Sequence, residues 1–429
     1  MKPLIITLML SVSASVSARE WTYSDCVEWA REHNISLQQS RLSEELSGYT
    51  LEESKAQWQP SLDFATSHNY SNAPWGNGNK NSYTSNYGIN AGWTLWNGGI
   101  RENTIKRDRL QMDAAALNTD DMMRSLETDL LSVYINILYA GESISIYEEA
   151  AELSKAQAER ARQLMEAGRV SKVDYAQLEA QYEQDRYALV NARGTYDTRR
   201  MELKRLLELG IEEDITPLNI EWSEEQVLAE LPPIEESYRL AAATDVKLKA
   251  LELQQESADA DIAIAKGSRL PKISLNAGVG TGYFAPGDGF GTQMKQAFNE
   301  SVGLTLSIPI IDNKKSKTAI AKANVQRINS MLDIQSRYND IAQTVESWYI
   351  DLRAAQSRYK AAEEQVKATT LSNDLVNEQF SLGLLNTVEL LTAHNNMLEA
   401  RHSLLQAKYM AMLGHKMIEF YRTATVTMP

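Results

Sequence analysis

The chain is written twice, and this constrains its fold more than any other feature. "GWTLWNGGIR" (Gly92 to Arg101) and "SIPIIDNKKS" (Ser307 to Ser316) align at an offset of 215 residues, with Leu95 on Ile310, Trp96 on Ile311 and Asn97 on Asp312. The same offset places "MEAGRVSKVDYAQ" (165–177) on "FSLGLLNTVELLT" (380–392), with Gly168 on Gly383, Val173 on Val388 and Asp174 on Glu389. Upstream, "HNISLQQ" matches "TDVKLKA" and Pro60 matches Pro271 at an offset of 211, so the four-residue difference falls in the loops near 71–84 and 284–300. Two copies of one structural unit therefore make up most of the chain.

Each copy switches from strand to a very long helix. Leu126, Leu130, Val133, Ile137, Ala140, Ile144, Tyr147 and Ala151 repeat with heptad spacing, and Ile341, Val345, Trp348, Leu352, Ala355, Tyr359, Ala362 and Val366 repeat identically. Such heptads predict a narrow apolar seam and coiled-coil packing. No Pro interrupts 102–164 or 314–379. Gly141 is the one isolated weak point, costing about 1 kcal/mol against Ala. A soluble coiled coil would satisfy the helices alone.

The segments ahead of the helices alternate with period two. Leu62, Phe64 and Tyr70 share a face; so do Tyr87, Ile89, Ala91, Trp93 and Leu95; so do Ile273, Leu275, Ala277, Val279 and Tyr283; so do Val302, Leu304, Leu306, Ile308 and Ile310. The opposite faces are mostly Gly, Asn, Ser and Thr, with Asp63 in the first strand and Pro309 in the last. Strands of about ten residues suit a tilted bilayer crossing. A soluble half-buried sheet would alternate too; strand length, export and the small polar face favour a barrel. Trp58, Trp93 and Trp96 fall at the helix-proximal ends, where they form an interfacial aromatic belt or pack inside. Four strands leave open edges, which lipid does not tolerate, so copies must associate. Three copies give twelve strands and room for a channel.

The N-terminus, "MKPLIITLMLSVSASVSA", orders Lys2, an apolar run and a small-residue tail as a secretory signal cleaved after Ala18. Cys26 is the only cysteine; it lies away from the cleavage point, so no lipid attachment is expected there and it should pack as a small hydrophobe. The net charge of −14, or −15 once Lys2 is removed, argues against nucleic acid. No run of 18 apolar residues follows the signal. His33, His68, His394, His402 and His415 form no tight metal-ligand spacing, and His402 sits in the apolar helix pattern. "GVGTGYFAPGDGFG" (278–291) lacks a following Lys-Ser/Thr, so lumen plus surface loop explains its glycines better than phosphate binding. No enzyme, cofactor or metal site is indicated.

With the duplication, the handovers "LWNGGIR" and "IIDNKKS", and the helix–turn–helix stretches "LMEAGRVSKVDYAQLEAQ" and "QFSLGLLNTVELLTAHNNMLEAR", nearly the whole mature chain resembles the TolC family of outer-membrane efflux proteins. The resemblance implies a mainly α protein with a membrane β-barrel portion: a homotrimer whose twelve-stranded barrel continues into an α-helical periplasmic tunnel. It implies a first repeat over 19–234, with strands near 61–70 and 85–96, a long helix 100–163, a return helix 171–208 and an equatorial linker 210–234. The second repeat, 235–429, would hold strands near 272–283 and 301–311, a long helix 314–379 and a return helix 386–419. The turns at Gly168, Arg169, Val170, Ser171 and at Gly383, Leu384, Leu385, Asn386 would be the tip that docks a periplasmic adaptor, itself joined to an inner-membrane transporter. Ser171 and Asn386 are also good helix caps after a glycine. Asp174 and Glu389 would ring the mouth as gate acids, or simply favour the helix N-termini. The family's Asp-x-x-Asp reads Glu389-Leu390-Leu391-Thr392 here, and Leu385 stands where a basic residue often braces the closed tip. Passage of small molecules in efflux is the leading reading; a duct for protein in type I secretion is the alternative transport reading, and a periplasmic coiled-coil scaffold is the alternative of another class.

Overall fold

A computed structural model describes residues 20–75 and 80–428; the expected signal segment 1–18 lies outside the described residues. In chain order the elements are β1 (Glu20–Trp21), α1 (Tyr23–His33), α2 (Ile35–Ala56), β2 (Ser61–Asn72), β3 (Asn81–Trp96), α3 (Ile100–Glu166), α4 (Lys172–Leu206) and β4 (Thr216–Pro217). Then follow α5 (Glu224–Val227), α6 (Ile234–Thr244), α7 (Val246–Gly267), β5 (Lys272–Ala285), α8 (Phe290–Gln296), β6 (Asn299–Ser307), α9 (Lys315–Ser381) and α10 (Thr387–Thr423). The duplication is metrically close: α1 and α6 each have 11 residues, α2 and α7 each 22, α3 and α9 each 67. At 1.5 Å per residue a 67-residue helix rises about 100 Å.

The chain divides into two compact units. One comprises Ser40–Asp120 and Val246–Tyr338. It holds a four-stranded antiparallel sheet in the order β2-β3-β5-β6, two hairpins joined through the central β3–β5 pair. β6 is shorter than expected: it ends at Ser307, opposite Lys272, and Ile308–Ile311 lie beyond the ladder. Pro271 precedes Lys272 and has no N–H to extend the pairing. In the Gly-rich stretch, β5 runs through Gly278, Gly280 and Gly282 as expected, and α8 stands in what was expected to be surface loop.

At each handover an Asx side chain caps the coming helix and two residues take left-handed conformations. Asn97 Oδ1 accepts from the Arg101 amide at 3.2 Å, with Gly98 and Gly99 at φ +72° and +78°. Asp312 Oδ2 accepts from the Ser316 amide at 2.8 Å, with Asn313 and Lys314 at φ +53° and +65°. Gly98 is required on a second ground: a Cβ there would meet the Gly267 carbonyl oxygen at 2.5 Å.

The other unit holds the segment up to Gln39, Asp121–Asp245 and the chain from Asn339. Here α1, α3, α4, the 215–220 linker and α10 share a core of Tyr23, Cys26, Leu130, Leu131, Tyr134, Leu203 and Met412, with β1 and β4 paired in parallel beside it. Cys26 packs as a small hydrophobe, and burial pushes its thiol up to about 12. A second core joins Val227 and Ala241 to Ile341, Val345, Tyr349 and Leu352 of α9. The α3 seam is broader than heptads alone suggest. Leu130, Leu131, Tyr134, Ile135, Ile137 and Leu138 are all buried, because other elements cover α3 on several sides. An 18-residue window of α3 reaches mean hydropathy 1.2, enough on composition to cross a bilayer. This core role accounts for that apolarity.

Candidate functional site

Within the sheet unit, register decides what each face presents. Leu62 pairs with Ala91, Phe64 with Ile89, Ile89 with Val279, Ala91 with Ala277, Trp93 with Leu275, and Leu275 with Leu304. Period-two pleating therefore gathers these side chains on one face. Asp63–Asn90–Gly278–Ser301 and Ser61–Gly92–Asn276–Gly303 run across the other. The glycines make room for amides there: a Cβ at Gly282 would stand 2.9 Å from Asn86 Oδ1. Leu62, Phe64, Val302, Leu304 and Leu306 are exposed. A largely exposed apolar face, opposite a polar face of small residues, suits lipid outside and water inside. Among the described residues, both outer edges, β2 and β6, lack a partner strand.

The three expected tryptophans sit together at the helix-proximal end. The Arg101 guanidinium lies 3.3 Å from the Trp58 ring centroid and donates from Nη1 to the Thr94 carbonyl at 2.7 Å and the Gln57 carbonyl at 3.3 Å. Trp93 Nε1 donates to the Trp58 carbonyl at 2.9 Å. Trp58, Trp93 and Trp96 keep an exposed flank. Trp58 thus packs on a buried arginine and also faces outward. The apolar face also has an aromatic opposite end, not anticipated from the sequence: Tyr70 pairs with Tyr83, Tyr83 stands 6.3 Å from Tyr283, and His68 packs on Tyr83 and Tyr87. Tyr87 and Tyr283 were visible as alternating residues; their meeting with Tyr70 depended on register. Ten residues separate Ile273 from Tyr283, about 33 Å along a strand, or about 25 Å of membrane at a 40° tilt.

In the helical unit the two tips have the same construction. Gly168 (φ +73°) and Gly383 (φ +77°) end α3 and α9 in Schellman turns, the Arg169 amide donating to the Leu164 carbonyl at 2.8 Å and the Leu384 amide to the Gln379 carbonyl at 3.0 Å. Ser171 and Asn386 then cap α4 and α10 by accepting from the Asp174 and Glu389 amides at 3.1 and 3.0 Å. The tips differ at the acids. Asp174 accepts from Ser171 Oγ at 2.6 Å and, across to the other tip, from the buried Thr387 Oγ1 at 2.8 Å. These hydrogen bonds hold its carboxyl below the usual range. Glu389 is exposed. A cleft of about 220 Å³ between the turns is lined by Val170, Ser171, Asp174, Leu385, Asn386 and Thr387. Leu382, Leu384, Val173 and Val388 stand exposed beside it.

Behind the tips lies a polar layer that sequence reasoning missed. His394 on α10, fully buried, places Nε2 2.9 Å from Asp185 Oδ2 on α4, and Gln181 Nε2 donates to Asp185 Oδ1 at 2.9 Å. An ionised carboxylate only accepts, so Nε2 carries the proton. The signal was present: Leu178, Gln181, Asp185 and Ala192 fall at heptad spacing, which puts a charge into the seam. His402 packs its ring 4.3 Å from Tyr147.

The outer membrane efflux protein model matches residues 27–208 and again 237–412. Outer membrane protein TolC of Escherichia coli K12 is 23% identical over 423 residues, 95% of this chain and 83% of the relative. Alkaline protease secretion protein AprF of Pseudomonas aeruginosa PAO1 is 23% identical over 317 residues, 72% of this chain and 64% of the relative. The crystal structure of CusC superposes with a TM-score of 0.81 at 16% identity, covering 95% of this chain and 94% of that one. Matched in both halves, the chain belongs to the outer membrane efflux protein family, and it is a transport protein rather than an enzyme.

Proposed function

We propose that three copies of this chain form the exit duct of a tripartite efflux system, passing small molecules outward from a periplasmic adaptor and an inner-membrane transporter. Proteins of this family form trimers. The carrying observation is the sheet: an apolar face opposite a face mostly of Gly, Asn and Ser, with both outer edges unpaired among the described residues. Three such sheets close twelve strands around a wet lumen. Removal of residues 1–18 on export, without lipidation at Cys26, belongs to the same reading, as does the division into repeats at 19–234 and 235–429. The exposed Leu382, Leu384 and Val388, with the Gly168–Ser171 and Gly383–Asn386 turns, offer the adaptor a small apolar surface. Asp174 and Glu389 would line the mouth, with Asp174 fastening one tip to the other through Thr387.

Planar-bilayer conductance of the detergent-extracted protein, with its mass measured on the same preparation, tests this. A trimer giving small, cation-selective openings is expected. A monomer that never conducts would defeat the duct. A second reading, export of protein in a type I system, is favoured by the similarity to AprF, a protein named for alkaline protease secretion. Crosslinking from a cysteine placed at Leu384 separates the two: the captured adaptor belongs either to a proton-driven small-molecule pump or to an ATP-driven protein exporter.

A further inference from the structure

We propose that α8 is an interfacial anchor that seats in the outer leaflet, at the boundary between acyl chains and headgroups. The helix does not stand off the sheet. Thr281 Oγ1 donates to the Met294 carbonyl at 2.5 Å, and the Phe290 ring lies 5.3 Å from that of Tyr283. Thr281 and Tyr283 continue the row Ile273, Leu275, Ala277, Val279, so α8 rests on the apolar face and not on the lumen face. The Gln293 side chain fixes it there. Its Oε1 accepts from the Phe284 amide and its Nε2 donates to the Phe284 carbonyl, both at 2.9 Å, occupying backbone groups of β5 beyond the β6 ladder, which ends at Gly280.

So held, α8 leaves Phe290 and, just past its end, Phe298 about half exposed, at 52% and 53%. Phe290 lies at Tyr283, in the aromatic end of the apolar face, and Phe298 directly precedes Asn299, which pairs with Gly280 just below it. The occupant follows from continuity: the same face carries lipid-facing Leu304 and Val302, and aromatic side chains at its end belong at the headgroup level. Lys295 is exposed and suits the aqueous side.

The inference rests on the apolar face meeting lipid, and the test separates the two. Spin labels are placed at Phe290→Cys, Phe298→Cys, Lys295→Cys and Leu304→Cys in a Cys26→Ser background, in protein reconstituted into phosphatidylcholine vesicles. Collisions with oxygen are compared with those of a water-soluble nickel chelate. Leu304 should favour oxygen strongly, Phe290 and Phe298 should favour oxygen at shallower depth, and Lys295 should favour nickel. If Leu304 favours oxygen while Phe290 and Phe298 favour nickel, or are closed to both reagents, α8 is not an anchor. If Leu304 also favours nickel, the membrane assignment of the face falls first and the anchor falls with it.

Discussion

The buried His394–Asp185 pair holds the two return helices together just behind the tips, and its loss should loosen them measurably. Asp185 accepts from both His394 Nε2 and Gln181 Nε2 at 2.9 Å, and is 2% exposed. In Asp185→Ala two buried N–H groups lose their acceptor, at about 1–3 kcal/mol each before relaxation. His394 Nδ1 already has no partner, so the imidazole would be left without a hydrogen bond. A net local cost of about 2–4 kcal/mol follows, less than the sum because water can reach an opened tip.

Hydrogen exchange reads this directly. Where local opening governs exchange, 2–4 kcal/mol speeds it about 30- to 900-fold. The acceleration should be confined to peptides around Leu178–Arg186 and Leu390–Ala400. His394→Leu should do the same by stranding a buried carboxylate. The double variant, which removes both partners into an apolar environment, should lose less than the two single variants combined, with a coupling of about 1–3 kcal/mol. Exchange within about twofold of the parent in both single variants, or strictly additive losses, would refute the role assigned to the pair.

Gly98→Ala should destabilise far more than Gly99→Ala. Both pay about 1–2 kcal/mol for a left-handed non-glycine residue, but only at Gly98 does the new Cβ strike a backbone oxygen; melting of the detergent-solubilised protein separates them. Lys314→Gly should raise the midpoint, since Lys314 holds φ +65° without glycine's freedom. Arg101→Lys should cost about 1–3 kcal/mol, because a lysine cannot both stack on Trp58 and donate to three carbonyls; Trp58 fluorescence and the same melt report it. Neutralising Asp174 and Glu389 together should change cation block and resting conductance; an unaltered double variant leaves them as helix-start residues alone. The Asp174 carboxyl is depressed in the folded protein, so its contribution is complete above its ordinary value of 3.8 and fades only as pH falls through the lowered one. The stabilisation of the tip through this residue, read as hydrogen-exchange protection corrected for the intrinsic rate, should therefore be flat between pH 7 and pH 5.

Period-two alternation, Pro-free heptads and glycine-then-cap turns were legible because each is a local rule that the fold obeys locally. β5 could be read almost residue by residue. What escaped depended on partners. β6 stops at Ser307, where Pro271 on the opposite strand and Pro309 on its own both lack an N–H to extend the ladder. α8 is hidden by Gly289 before it and Gly291 within its first turn, and its place is fixed by Gln293 reaching the β5 backbone and by Thr281. The polar layer escaped for a more interesting reason: it is where the two copies disagree. Asp185 corresponds at the 215-residue offset to buried Ala400. A duplicated chain of near-equal helices faces many nearly degenerate packings, since either return helix matches the same heptad pattern. A buried polar residue opposed by alanine in its counterpart breaks that degeneracy, because only one arrangement satisfies it. Exchanging the residues at positions 185 and 400 (Asp185→Ala with Ala400→Asp) keeps composition and heptads intact but orphans His394. If the layer specifies packing, the exchange variant should show the opened-tip pattern of Asp185→Ala and gain nothing from the restored carboxylate.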